Sequence, residues 1–162
     1  MTEFTMVTAD GQKIKGKFDA MKICRPIEEF YKDNKLDVEI ILPEVKSETL
    51  SKIVEFCEQY QGKNPPTVEK PLKSNKLNEI IKDEWLITRL NMPLNKMYEL
   101  LNACDYLALK GLEELVACAV AVKLVGKSVE EMRKEFGINN DYTPAEESEI
   151  KEFFSWSEEL WP

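Results

Sequence analysis

Side chains of like character recur at every second position near the start of this chain, and at helical spacing almost everywhere after residue 48. Phe4, Met6 and Thr8 share one face of FTMVT, and Ile14, Gly16 and Phe18 share one face of KIKGKF. Asp10-Gly11 stands between the two runs, a strong hairpin signal because glycine accepts positive φ without a Cβ clash. VEIILP at 38–43 predicts a third strand, ended by Pro43. Between the strands, AMKICRPIEEFY at 20–31 predicts a short helix interrupted or begun at Pro26. Leu50, Ile53, Val54 and Cys57 then follow the i, i+3, i+4, i+7 rule, so 48–60 is an amphipathic helix closed by Gly62.

Residues 63–82 break the pattern. NPPTVEKPLKSNKLNEI carries three prolines and several lysines with few apolar anchors, and is expected to be a mobile surface loop. Beyond it the periodicity is helical: KDEWLITRL, NKMYELLNACDYLAL and GLEELVACAVAVKLVG, the last apolar almost all round from Leu115 to Val122 and so a buried helix. Gly111 and Gly126 stand at helix-terminal positions. Two more helices carry start signals. Ser128 with Glu131 is a capping box, before the sparse apolar face of Val129, Met132 and Phe136 and the stop at Gly137. Thr143 with Glu146 is a second box, with Pro144 in the first helical position. Ile150, Phe153, Phe154 and Ser157 line one side of that helix, with Trp156, Leu160 and Trp161 nearby. The fold class is therefore α+β: a small three-stranded sheet, a helical body and two C-terminal helices.

Composition narrows the function. Acids number 30 against 22 Lys and Arg, and a net charge of −8 argues against a nucleic-acid partner. Histidine is absent, which removes Ser-His-Asp and Cys-His catalysis and every histidine-containing zinc site. Cys24, Cys57, Cys104 and Cys118 form no CxxC pair, so no zinc ribbon or thioredoxin-type motif is supported. No phosphate loop, nucleophile elbow or calcium-loop spacing occurs, and no enzyme, metal or cofactor is expected. The opening MTEFTMVTADGQK has neither a basic leader nor an apolar stretch, and the longest apolar run is too short to cross a bilayer. No membrane association is expected, and the compartment is read as reducing and intracellular.

The acidic end is the one region that suggests a surface. Asn139 to Pro162 holds seven acids, one lysine and five of the 15 aromatics. Either these aromatics dock as core, with the acids solvated, or they form a partner-binding patch rimmed by charge. Both readings stay open on these residues alone.

The strings ILPEV, LSKIVEFCEQY, NPP, LLNACDYLALKGL and GKSVEEMRKEFGINNDYTPAEESEIKEFFSW, in this order, resemble the S-phase-kinase-associated protein one family, the adaptors of SCF ubiquitin ligases. The resemblance spans essentially the whole chain and is strongest from Tyr98 to Trp156. It implies a BTB/POZ-like domain over residues 1–126 and a C-terminal helical extension over 127–162 for F-box binding. It also implies a non-catalytic role joining a cullin to F-box proteins, in the cytoplasm and nucleus. The alternative is a divergent BTB-type scaffold that binds F-box proteins in a non-cullin assembly. An elongin-C-like adaptor is disfavoured because that relative lacks the C-terminal helices.

Carried over by position, the cullin contact falls on Asp105 and Tyr106, with Asp105 departing from the family's usual asparagine. An acid there helps only if a cationic partner faces it. The F-box contacts fall on Val120, Leu124, Met132, Phe136, Ile138 and Trp156, each of which core packing would also explain. A vacant F-box face is expected to be covered by a second copy, giving a homodimer. Pro144 matches a proline that is hydroxylated and then glycosylated in adaptors of several protists, although its place in the helix's first turn is explanation enough for a proline. Three features depart from the family: a loop at 63–89 with six basic and four acidic residues, a weakly matching KICRPIEEF, and the tail SEELWP.

Overall fold

The structure, a computed structural model, describes residues 3–72 and 74–155. Strand β1 (Glu3–Thr8) buries Phe4, Met6 and Thr8 and pairs antiparallel with β2 (Lys13–Lys17), Met6 opposite Ile14 and Phe4 opposite Gly16. A Cβ at Gly16 would lie 2.9 Å from Met6 Cε and 3.2 Å from Met21 Cγ, so two methionines fill the space that a side chain would need. In the connecting turn Gly11 adopts φ +72° and donates to the Thr8 carbonyl at 2.9 Å. The Asp10 carboxylate reaches away from that turn. It accepts from Ser47 N–H at 3.0 Å and from Ser47 Oγ, at the start of α3 (Ser47–Gln59).

Phe18 leaves the strand to open α1 (Phe18–Met21), and α2 (Arg25–Asp33) follows with Pro26 in its first turn. Together they carry the chain to β3 (Ile40–Leu42), which runs parallel to β1 with Met6 opposite Ile40. The sheet order is β2-β1-β3. The third strand is shorter than 38–43. Val38 donates to the Lys35 carbonyl at 3.1 Å and accepts from Tyr31 Oη at 2.7 Å, so a turn uses that residue before pairing begins. The Tyr31 ring closes this end, edge-on to Phe4 and Phe18 with centroids 5.1 and 5.8 Å away.

The helical body rests on α7 (Lys110–Leu124), which buries Leu112, Leu115, Val116, Cys118, Ala119 and Val120. It packs with α6 (Leu94–Tyr106), which buries Leu94, Met97, Leu100, Ala103 and Cys104. Between α3 and α6 lies α5 (Glu84–Leu90), capped by Asp83, whose other oxygen accepts from Tyr60 Oη at 2.6 Å. All four cysteines are buried free thiols.

Residues 63–82 are not surface loop throughout. Leu77–Ile80 forms a single helical turn (α4), and Pro65 is buried against Gly111, where a Cβ would sit 2.6 Å from the proline ring. Gly111, the second residue of α7, stands at a helix end, and its missing side chain also lets Pro65 pack closely there. Lys70 pairs with Glu114 of α7 at 2.9 Å.

The chain divides into two compact units, Met1–Val125 and Gly126–Pro162. The second unit holds α8 (Val129–Phe136) and α9 (Pro144–Phe153), each opened by a complete capping box, Ser128 with Glu131 and Thr143 with Glu146. Gly137 ends α8 at φ +64°, and the Ile138 N–H returns to the Arg133 carbonyl at 2.9 Å. Glu147 of α9 accepts from Arg133 Nη1 of α8 at 3.2 Å and from Asn140 Nδ2 at 2.7 Å. Among the described residues of this unit none is buried. Capping boxes open its two helices, and a polar knot joins them.

Candidate functional site

On α6 the buried residues occupy one side, which leaves Tyr98, Asn102, Asp105 and Tyr106 as a continuous outward stripe set by helical spacing. Asp105 is 77% exposed at its side chain, and Tyr106 is half-buried. The two positions assigned to a cullin thus sit side by side at the end of one helix. Tyr98 and Asn102 extend the same stripe and were not singled out from sequence, although the four positions share one helical face and could have been found by it. Glu99 beside them takes Lys46 at 2.9 Å and Lys96 at 3.2 Å, and these bonds hold its carboxyl below the usual range.

The positions assigned to F-box contacts fall into three groups. Val120 is only 8% exposed and packs in the core of the first unit, while Leu124, one turn on, is half-buried. In the second unit Met132 and Phe136 are half-buried and Ile138 is 59% exposed. Trp156 lies outside the described residues, as do Ser157, Leu160 and Trp161. Exposed apolar side chains missed by the sequence reading are Val125, the last residue of the first unit, and Tyr142, which joins Val129, Ile150, Phe153 and Phe154 on the second unit. Phe153, 71% exposed, stands edge-on to its neighbour Phe154, with centroids 5.0 Å apart.

The titratable groups here do structural work. Glu146 is held ionised by the backbone N–H and hydroxyl of Thr143, and Glu147 by Asn140 and Arg133, so both carboxyls titrate below the usual range. Such acids cannot hold a proton for transfer near neutral pH. Burial pushes the Cys104 and Cys118 thiols up, and a contact with Cys57 together with burial does the same to Cys24, which opposes thiolate chemistry. Among the described residues no cluster of three or more potential ligands could hold a metal ion, and no helix is long and apolar enough to cross a membrane. Pro144 is exposed as the first residue of α9. The arrangement is suited to covering by protein surfaces.

Two family models match the chain. One, described as "Skp1 family, tetramerisation domain", covers residues 2–62, and the other, "Skp1 family, dimerisation domain", covers residues 110–157. The chain is similar to the S-phase kinase-associated protein 1 homolog of Tetrahymena thermophila, with 34% identity over 160 residues covering 98% of this chain and 95% of the relative. It is also similar to the E3 ubiquitin ligase complex SCF subunit sconC of Aspergillus fumigatus, 32% identical over 98% of this chain and 100% of the relative. The subunit of the same description in Arthroderma benhamiae is 36% identical over 74% of this chain and 73% of the relative.

Proposed function

The chain belongs to the Skp1 family, and from that membership we propose that it is the non-catalytic adaptor of an SCF ubiquitin ligase, joining a cullin to F-box substrate receptors. The observation that carries this reading is the second unit, whose two helices each open on a capping box and which has no buried side chain among its described residues. Isolated helices of eight and ten residues are marginal in water, and their stability comes from burying an apolar face. Met132, Phe136, Ile138, Phe153 and Phe154 supply that face, and an F-box receptor supplies its cover. The stripe of Asp105 and Tyr106 on α6 serves the cullin.

The same reasoning extends to the remaining properties. Without a receptor, a second copy covers the apolar residues of the second unit and the free chain is a homodimer. The net charge of −8 disfavours nucleic acid and anionic membrane surfaces, and the adaptor works in the cytoplasm and nucleus. Pro144, exposed and next to the capping Thr143, is open to hydroxylation and glycosylation, which would bias the order of α9. Peptide spectra from the native cells at normal oxygen decide that point, since Pro144 found unmodified throughout removes it.

Affinity capture of the tagged chain from its own cells, read by mass spectrometry, tests the adaptor role. Cullin and F-box proteins recovered together support it. F-box proteins without cullin would instead support a BTB-type scaffold working in another assembly.

A further inference from the structure

Asp105 differs from the other acids around it. Glu99, beside the stripe on α6, is closely held by Lys46 and Lys96, and Lys96 also holds Glu48 at 2.6 Å. The Lys110 ammonium stands 3.6 Å from Asp105 but is committed to Glu113 at 2.9 Å. Asp105 also occupies the last turn of α6, where none of the helix's own residues is basic and the negative end of the helix dipole disfavours a carboxylate. An exposed, loosely paired acid therefore weakens its own helix and gains little from its own chain.

We infer that Asp105 is a specificity determinant of the cullin-facing stripe, selecting a partner that presents a lysine or arginine beside Tyr106. This rests on the reading of α6 as the cullin surface and deepens it. When the partner closes over Tyr106, water leaves and the carboxylate must be matched. A cation matches it, whereas a neutral or acidic residue leaves a buried unpaired charge and is rejected. Lys110, 3.6 Å from Asp105, opposes the partner by repelling the incoming cation.

The test measures affinity of the full chain for the cullin of its own organism, with melting temperature and F-box binding as parallel readouts. Asp105→Asn should weaken cullin binding about tenfold and flatten its salt dependence, while melting no lower than the parent because the helix end is relieved. Asp105→Lys should weaken it further, and Lys110→Met should tighten it by roughly threefold. F-box binding should not change. Cullin affinity unchanged in Asp105→Asn but lost in Tyr106→Ala would overturn the inference and keep the cullin surface. A variant Asp105→Asn that both binds and melts worse would make the residue structural, and Lys110→Met that binds no tighter would equally overturn it. All four variants binding like the parent would remove the α6 surface itself.

Discussion

Asp10 joins two parts of the chain that lie 37 positions apart. Its carboxylate leaves the hairpin turn and accepts from the first N–H of α3, whose preceding Lys46 offers no side-chain cap. The hydrogen bonds from Ser47 and Thr8 lower its pKa from the ordinary 3.8 to about 2. Because the folded carboxyl titrates below the unfolded one, the stabilisation is complete above 3.8 and is lost as pH falls towards 2. Asp10→Asn should therefore melt below the parent at neutral pH, and the gap between the two should close in acid. A gap that is constant with pH would show that the charge is not what matters. Glycines give a second prediction. Gly62 has φ +70° and a Cβ there would meet the Asp19 carbonyl at 2.7 Å, whereas Gly126 has φ +78° with nothing within 4 Å. Gly62→Ala should cost about 2–4 kcal/mol and Gly126→Ala about 1 kcal/mol, read by denaturant unfolding. Equal costs would mean that the packing at Asp19 yields.

The elements differ in what holds them, and that decided what could be read from the sequence. Both capping boxes and the αL stop at Gly137 are local, four-residue signals, and all three stand where the spacing placed them. The apolar run of α7 announced a buried helix for the same reason. Long-range relations were not legible: the parallel pairing of β3 with β1, the reach of Asp10 to Ser47, and the seat of Pro65 on Gly111. The turn α4 has four residues and no buried side chain, too little for a periodicity to register. At the site, the stripe on α6 follows from helical spacing, but the choice between core and interface for the C-terminal aromatics needed burial, and Phe153 and Phe154 are exposed. Hydrogen exchange of the chain, diluted until it is monomeric, should be fast over 128–155 and slow over Leu112–Leu124, because only α7 of these buries its face. Comparable strong protection in both would contradict a second unit without a buried face among its described residues. Ser128→Ala and Thr143→Ala should each cost the local helix about 1 kcal/mol, and calorimetry should show the same loss in F-box affinity, since the receptor must then order what the caps no longer do.

At the scale of the whole molecule, charge and apolar surface are divided between the units. Residues 139–162 carry seven acids and one lysine, six of the eight net negative charges. The first unit keeps a closed core, with ion pairs such as Lys13–Glu39 and Lys46–Glu99 on its surface. An adaptor needs such a division: a self-sufficient body for one partner and an incomplete helical extension for the other. The decisive measurement is reconstitution from purified components: this chain, the cullin of its organism and an F-box protein, followed by native mass spectrometry. One species containing a single copy of each is the predicted result, with cullin and F-box protein failing to associate when the chain is left out. A chain that holds the F-box protein but leaves the cullin free, or a cullin and F-box protein that join without it, would contradict the adaptor role.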